Sequence, residues 1–334
     1  MFAAGNTVRS LFVAGTFALA MPASFAADFT MKIGFGTMND VQHQWANWYK
    51  ESLEARTNKR IEVQIFPRSQ LGTIASQIEG MQLGTVEAMT SPTDFFAGVD
   101  PRFGTFSIPV LFKDAKHAER VMLDAELNKE ILTLGADKGL QVVSIFPYAA
   151  AHYFGKQPIR KLDDFKGKKL RVNATAAERA KMRQFGASAV PMDLSEVVPG
   201  LQQGVIDGTM SAAAVYVNLK FIDIGKVILQ TNDTMIISIG AVSRGWLNKL
   251  PADLRQAVIE EGNKLSNRTS AESHVIDEGA RKRWVEAGGE FVMLSADEQK
   301  RMQQLLVGVG DEVTKGTPAV SAFYKKMLAT SQKY

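Results

Sequence analysis

The chain alternates between segments with strand periodicity and segments with helix periodicity, and this alternation limits the fold more than any other feature. Between residues 31 and 92 the order is strand MKIGFG, helix DVQHQWANWYKESLEART, strand RIEVQIFP, helix TIASQIEGMQLG and strand-like VEAMTSP. Such an order predicts an α/β protein with a mostly parallel sheet covered by helices.

The same alternation returns after Gly139, which predicts a second α/β unit. Its segments are LQVVSIFPY, KKLRV, a helix around AAERAKMRQFG, SAVPMD and the helix LSEVVPGLQQG. The segment TMIISIGAVSR reads as a strand long enough to run between the two units. From Pro251 onward the pattern is almost entirely helical, so we expect a helical C-terminal part that braces both units.

The N-terminus has the order of a secretory signal peptide. One cationic residue, Arg9, precedes an apolar run from Leu11 to Met21, and small residues follow up to Ala26. A membrane anchor is the alternative, but it needs about 20 apolar residues and this run is shorter. The chain has no cysteine, which excludes a lipoprotein anchor and disulfides. We therefore expect residues 1–26 to be cleaved after about Ala26 and the mature chain to reside in a periplasm.

Composition and motifs argue against several classes of function. The formal charge of +4 is spread along the chain without a block of like charges, so no nucleic-acid partner is expected. No motif of a hydrolase, metalloprotease or nucleotide-binding loop occurs. The four histidines are scattered without metal-ligand spacing. We predict a protein that is not an enzyme and has neither a metal nor a cofactor.

Five segments carry a resemblance that runs in order over essentially the whole mature chain. They are FPRSQLG (66–72), FSIPVLFKD (106–114), PIRKLDDFKGKKLRV (158–172), FGASAVPMDLSEVVPGLQQGVIDG (185–208) and LPADLRQAVIEEG (250–262). Together they resemble the solute-binding proteins of TRAP transporters, the tripartite ATP-independent periplasmic carriers. The resemblance implies a two-lobed, clam-like protein that closes on a small organic acid and delivers it to membrane permease subunits. We expect a monomer.

The lobe boundaries follow from that expectation. Residues 27–148 plus 237–276 would form lobe I, and residues 149–236 plus 277–334 would form lobe II. The lobes would move about a hinge in the crossing strands near Tyr148 and Met235.

Arg171 is the principal candidate for binding the ligand. The alternation in KKLRV places Lys169 and Arg171 on one strand face and Leu170 and Val172 on the other, which alone also suits an exposed strand arginine. The resemblance implies that the arginine ending this motif contacts the ligand. A guanidinium offers a planar fork that pairs with a carboxylate through two charge-assisted hydrogen bonds.

The resemblance implies further positions in the cleft. Some members carry a second arginine where this chain has Ala151, so a neutral donor from Tyr148, His152 or Tyr153 is an alternative, and ordinary packing is another. Ser211 stands where some members have an asparagine that steadies the arginine or the ligand. Asn173 shares the strand face of Arg171, although it could instead begin the turn before the next helix. Four more cleft-facing positions fall on Ile74, Ser91, Phe95 and Leu194.

Three of those four positions are apolar, which favours an apolar or aromatic monocarboxylate, or a 2-oxo or 2-hydroxy acid. Each apolar residue taken singly could equally belong to the core. Arg68 could add a second charge at the rim. Two alternatives stay open for the function as a whole: the binding protein of an ATP-driven (ABC) importer, and an exported lyase-like enzyme.

Overall fold

The computed structural model describes residues 1–2, 27–173 and 175–334. The predicted signal peptide therefore lies outside the described residues, apart from its first two. The strands are β1 Phe29–Gly34, β2 Ile61–Phe66, β3 Ala88–Pro92, β4 Leu140–Gly155, β5 Lys169–Val172, β6 Ser188–Pro191, β7 Gly208–Ser211, β8 Val227–Ser243 and β9 Glu290–Met293.

The helices alternate with these strands up to α8 and dominate the chain after it. They are α1 Val41–Arg56, α2 Ile74–Leu83, α3 Ala115–Met122, α4 Ala125–Ile131, α5 Ala176–Gln184, α6 Val197–Gln203, α7 Ala213–Asn218, α8 Arg244–Leu247, α9 Ala252–Glu286, α10 Ala296–Leu306, α11 Val309–Thr314 and α12 Pro318–Ser331. Short 3-10 helices at Thr93–Phe96 and Pro101–Ser107 follow β3. The predicted α/β class is confirmed.

One sheet of nine strands runs through the molecule in the order β2-β1-β3-β8-β4-β7-β5-β6, and β9 pairs with β8. The long strands β4 and β8 lie in the middle of this sheet and connect its two ends. The beginning of β4 pairs with the end of β8, from Leu140↔Ser243 to Pro147↔Ile237, whereas His152–Phe154 pairs with Gln230–Ile228. We call the β2-β1-β3 end the first half of the sheet and the β7-β5-β6 end the second half.

Both crossing strands are longer than the sequence predicted, and the sheet is less parallel. The strand predicted at 140–148 is the first part of β4, which has 16 residues. The strand predicted at 234–244 corresponds to the last part of β8, which has 17 residues and ends at Ser243. Each pairs antiparallel with neighbours, so five of the eight strand pairs are parallel and three are antiparallel. The register of β4 shifts between Pro147 and Ala149 and between Ala150 and His152, where the strand passes from one half to the other.

Helix α9 packs on both halves, as the helical period after Pro251 predicted. In its first part, the Val258 carbonyl accepts a hydrogen bond from the Tyr49 hydroxyl at 2.7 Å, and Ser266 Oγ accepts one from the Ile145 amide at 3.2 Å. In its last part, Trp284 packs edge-on against Phe154 of the second half, with ring centroids 6.3 Å apart. The helix therefore ties the two ends of the sheet together.

The lobe boundaries stay a prediction. Helix α12, which that prediction gives to lobe II, packs beside residues given to lobe I. The Lys326 ammonium pairs with Glu130 at 2.8 Å, and Phe323 meets the ring of Phe106 edge-on. In the described part of the chain, no helix is long and apolar enough to cross a membrane.

Candidate ligand-binding site

A narrow cavity lies between the two halves of the sheet, and its empty space, including the part open to solvent, is about 420 Å³. The loops that follow β1 and β3, together with the start of α1 and α2, form one wall. The other wall comes from the ends of β5 and β7, from α7 and from the segment after β6. The lining residues are Gly36, Thr37, Gln42, Ile74, Pro92, Phe95, Tyr148, Arg171, Asn173, Leu194, Met210, Ser211, Val215 and Ile236.

Arg171 is buried in this cavity with only 2% of its surface exposed. Its Nε donates to the Met192 carbonyl at 2.9 Å, and its guanidinium carbon lies 5.9 Å from the centre of the Phe95 ring. Its Nη2 is buried and has no hydrogen-bond partner among residues 27–173 and 175–334. Burial lowers the pKa of Arg171, and the charges of Glu178 and Asp193 oppose that shift. An arginine stays protonated in proteins, so the cavity contains a buried cation with an open donor.

The structure excludes the alternative of an exposed strand arginine at position 171. Only Lys169 is exposed, whereas Leu170, Arg171 and Val172 are all buried. The strand is an interior strand of the sheet, between β6 and β7, and its side chains beyond Lys169 are covered on both faces. The strand alternation therefore describes the direction of the Arg171 side chain, but not its burial.

Asn173 follows β5 and contacts an acid from the other side of the cavity. Its Nδ2 donates to Asp94 Oδ2 at 3.0 Å, and its backbone amide donates to Glu178 Oε1 at 3.3 Å. Asp94 lies in the 3-10 helix after β3, beside the cavity-lining Phe95. Burial, together with the charge of Glu178, raises the pKa of Asp94 to about 7.

Most other polar groups of the cavity are already engaged with protein partners. The Tyr148 hydroxyl donates to Asp40 Oδ2 at 2.8 Å. Gln42 Nε2 donates to Ser238 Oγ at 3.0 Å, and its Oε1 accepts from the Thr37 hydroxyl at 3.1 Å. Because these donors are satisfied within the protein, a ligand can use them only in competition with their present partners.

Two further hydrogen bonds cross the cavity. Asp193 Oδ2, in the loop after β6, accepts from the Ile74 amide at the start of α2 at 3.0 Å. Asn218 Nδ2, at the end of α7, donates to the Met38 carbonyl in the loop after β1. These contacts and the Asn173–Asp94 bond hold the two walls together, which explains the burial of Arg171.

The comparisons with known proteins agree with this architecture. The model of bacterial extracellular solute-binding protein, family 7, matches residues 35–315. The chain belongs to this family. It comprises the solute-binding proteins of TRAP transporters, so the predicted family is confirmed.

Similar family 7 proteins are known from several bacteria. The 2,3-diketo-L-gulonate-binding periplasmic protein YiaO of Escherichia coli is 27% identical over 264 residues, which cover 78% of this chain and 80% of that protein. The sugar acid binding protein DctPAm of Advenella mimigardefordensis, solved with galactonate, superposes with a TM-score of 0.85 at 20% identity, covering 91% of this chain and 98% of that one. A TRAP protein of Bordetella bronchispeptica, with density assigned as pantoate, gives 0.83 at 23% identity over 90% and 99% of the two chains.

The family consists of binding proteins, so the prediction that this chain is not an enzyme is confirmed, and the two-lobed architecture is that of its structural neighbours. Seven of the nine predicted site residues line the cavity of this family 7 protein: Ile74, Phe95, Tyr148, Arg171, Asn173, Leu194 and Ser211. The structure thus brings together residues that lie as far apart in the sequence as positions 74 and 211.

Ser91 and His152 do not line the cavity. Ser91 is buried in β3, one residue before the lining Pro92, and its hydroxyl lacks a described partner. The ring of His152 contacts Phe291, and its Nε2 lies 3.4 Å from Arg281 Nη1. Burial and the Arg281 charge lower the pKa of His152 to about 3. Placing His152 beside the ligand is therefore a correction, because the register shifts of β4 were not visible in the sequence.

The neighbours of His152 do not reach the cavity either. Ala151 is fully buried, and the Tyr153 hydroxyl donates to Asp233 at 3.4 Å. Arg68 is exposed and is not among the lining residues. The described residues contain no cluster of three or more potential metal ligands.

Sequence reasoning missed half of the lining residues. These are Gly36, Thr37, Gln42, Pro92, Met210, Val215 and Ile236. The signal that could have found Gly36 and Thr37 is their position directly after strand β1, where a ligand loop commonly lies. Asp94 was likewise missed, because an acid beside an apolar wall gives no periodic signal.

Proposed function

We propose that the chain is the periplasmic receptor of a TRAP transporter and binds a small acid with one carboxylate and a largely apolar body, including 2-hydroxy or 2-oxo acids. The observation that carries this proposal is the buried guanidinium of Arg171 with its open Nη2. A buried cation without a counterion is costly, and a ligand carboxylate would supply the missing partner.

The cavity lining supports a single carboxylate. Among the described lining residues, Arg171 is the one cationic side chain, and half of the lining is apolar: Ile74, Pro92, Phe95, Leu194, Met210, Val215 and Ile236. A second carboxylate would be buried without a charged partner, at a cost of several kcal/mol.

Other TRAP proteins of this fold were solved with malate or succinate, and the three relatives described above are associated with other small acids. Two of them are named for or solved with sugar acids, and the third has density assigned as pantoate. Pantoate is a branched monocarboxylate with hydroxyls on C2 and C4 and two methyl groups on C3. It therefore comes nearest in chemistry to the ligand that we propose for this cavity.

Binding would be coupled to a hinge motion. The register shifts of β4 near Tyr148 and the adjacent Met235 of β8 are where the strands pass between the halves. A ligand that contacts both walls would stabilise the closed arrangement and shift the population towards it. The closed, monomeric receptor would then present the ligand to the permease. Export would require cleavage after about Ala26.

Isothermal titration calorimetry with a matched panel tests the ligand class. The panel contains an aromatic monoacid, a branched 2-hydroxy monoacid, a C4 dicarboxylate and a uronate, all at one pH. We expect one of the two monoacids to bind tightest. Tightest binding of the dicarboxylate or the uronate would overturn the proposal of an apolar-walled site with one carboxylate partner.

A further inference from the structure

Asn173 and Asp94 form a hydrogen-bonded pair beside Arg171, where the pair can contact the C2 substituent of a ligand whose carboxylate binds the guanidinium. Both side chains are buried, and they approach from opposite walls. We infer that Asp94 holds the Asn173 amide so that its oxygen accepts a hydrogen bond from the ligand, which makes the site selective for 2-hydroxy acids over 2-oxo acids. This inference rests on the proposed function, since it presumes a carboxylate on Arg171.

The orientation of the amide follows from its partner. When Asp94 is ionised, its carboxylate can only accept hydrogen bonds, so the 3.0 Å contact then uses the Asn173 NH₂ group. The amide oxygen, Oδ1, then remains available, and it has no partner among the described residues, which omit position 174. Asn173 therefore presents an acceptor rather than a donor.

The position of this acceptor matches the second carbon of a carboxylic acid. Asn173 is the first residue after β5, two positions beyond Arg171. Both residues line the cavity. An acid whose carboxylate pairs with the guanidinium would therefore direct its C2 substituent towards Asn173.

An acceptor at this place distinguishes the two classes of acid. A 2-hydroxyl can donate its proton to Asn173 Oδ1, whereas a 2-oxo oxygen has no proton and would bring two acceptors together. Sites that hydrogen-bond a ligand hydroxyl reject analogues without it more strongly than apolar pockets reject small size differences. The expected ratio of affinities between a 2-hydroxy acid and its matched 2-oxo acid is about 10-fold or more.

Asp94 acts through Asn173 and is thus a positioning residue. The groups that face it are Glu178 and Lys181 of α5, Arg171 of β5, Asn173, and Ser107 of the 3-10 helix Pro101–Ser107. If Asp94 takes up a proton, it can donate to the amide oxygen, and the amide can turn its NH₂ group to the ligand. With the pKa of Asp94 raised to about 7, the preference for hydroxy acids should fall as the pH drops from about 8 to 6.

The test uses three probes that differ only at C2: 2-hydroxy-3-methylbutanoate (each enantiomer), 2-oxo-3-methylbutanoate and 3-methylbutanoate. Their dissociation constants are measured by calorimetry on the mature full-length chain at pH 6, 7 and 8. The variants are Asn173→Leu, Asp94→Asn and, as a control, the exposed Asn267→Leu on α9. Circular dichroism and thermal unfolding confirm that each variant folds.

At pH 8 the unmodified chain should prefer the better hydroxy enantiomer about 10-fold or more over the oxo acid. Asn173→Leu should bring this ratio to within about threefold of one. Asp94→Asn should reduce or reverse the ratio and remove its pH dependence. The control Asn267→Leu should leave the ratio unchanged. A pH-independent ratio, or a ratio that survives in either folded variant, overturns the inference and leaves the proposed function intact. If Asn173→Leu does not fold, the Asp94→Asn ratio and the pH profile decide. If none of the three acids binds while a dicarboxylate or uronate does, the proposed function fails and the inference fails with it.

Discussion

Two buried cations, Arg171 and Lys181, lie within about ten residues of each other in the sequence, but their surroundings differ. The Lys181 ammonium is fully buried and bonds to Asp233 Oδ2 and to the Thr234 hydroxyl, both at 2.8 Å. Arg171 is equally buried, yet its Nη2 has no partner in the described chain.

The electrostatics of the two sites follow from this difference. Burial alone would raise the pKa of Asp233, but the charge and hydrogen bond of Lys181 outweigh it, so that the pKa of Asp233 lies below its ordinary value. The hydroxyls of Thr231 and Thr234 also donate to Asp233. A buried cation whose donors are satisfied stabilises the fold, whereas one with an open donor is available to a ligand. The number of satisfied hydrogen-bond donors therefore distinguishes Lys181, a cation that stabilises the fold, from Arg171, a cation available to a ligand.

The largest expected effect is on stability, in Lys181→Met. This change leaves the Asp233 carboxylate buried without its counterion, which typically costs about 3–5 kcal/mol. Urea unfolding monitored by circular dichroism measures the loss. The matched control is Lys282→Met, which removes an exposed partner of Glu286 and should stay within about 0.5 kcal/mol of the parent. A loss below about 1 kcal/mol for Lys181→Met would break the comparison, because the pair would then not stabilise the fold.

Arg171→Ala should have a large effect on ligand affinity and a smaller effect on stability, the reverse of Lys181→Met. We expect carboxylate binding to weaken by about 2–5 kcal/mol, because the ligand charge would be left unpaired in the cavity. The unfolding free energy of the ligand-free chain should change less than in Lys181→Met, since no partner carboxylate is abandoned. Arg171→Lys should recover part of the affinity, because an ammonium cannot reproduce the planar fork.

Calorimetry and urea unfolding of the same samples separate these two quantities. Arg183→Ala is the control for affinity, since this exposed arginine pairs with Glu312 on the surface. An Arg171→Ala variant that binds within twofold of the parent would remove Arg171 from the site.

The contrast also marks what could be predicted from the sequence. The alternation of strand and helix patterns was sufficient for the α/β class and for the helical brace α9, and the family motif was sufficient for Arg171. The near-complete burial of Arg171 was not predictable, because it arises from contacts between segments far apart in the sequence that meet across the cavity. Long-range pairings such as Asn173–Asp94, 79 positions apart, leave no local pattern.

His152 lies outside the cavity for a related reason. It neighbours Ala151, where some family members have a second arginine, and both a donor role and ordinary packing were open for it. The register shifts of β4 between Pro147 and His152 changed which side chains meet the cavity. A count along a strand is reliable only where its period is unbroken.

His152 sharpens the comparison as a third buried basic group that has neither a carboxylate partner nor an open cavity. Its pKa falls from 6.5 to about 3, so below pH 6.5 the unfolded chain binds a proton that the folded chain does not. Its contribution to stability is therefore complete above pH 6.5 and is lost progressively as the pH falls towards 3. Between pH 7.5 and 5 the loss amounts to about 2 kcal/mol.

Urea unfolding at these two pH values, compared between the parent and His152→Gln, isolates that contribution. The variant should lose about 2 kcal/mol less than the parent on acidification. Asp94 has the opposite sign, because its raised pKa favours the folded chain at low pH, but it is common to both proteins. The control is the exposed His274→Gln, which should follow the parent. Parallel pH profiles for the parent and His152→Gln would show that His152 is protonated in the folded state.

The smallest expected effect concerns hydrogen bonds that depend on closure rather than on folding. Asn218 donates to the Met38 carbonyl across the cavity, whereas Asn128 of α4 makes the same type of bond to the Met122 carbonyl at the end of α3, outside the cavity lining. If the walls separate without ligand, Asn218→Ala should weaken ligand binding by about 1 kcal/mol, roughly fivefold, and barely change the unfolding midpoint of the ligand-free chain. Asn128→Ala should lower that midpoint and leave the affinity unchanged. Calorimetry measures the affinity of both variants, and thermal unfolding measures their midpoints without ligand. Equal losses of stability in the two ligand-free variants would instead mean that the Asn218 bond persists without ligand, and that the walls do not part at this point.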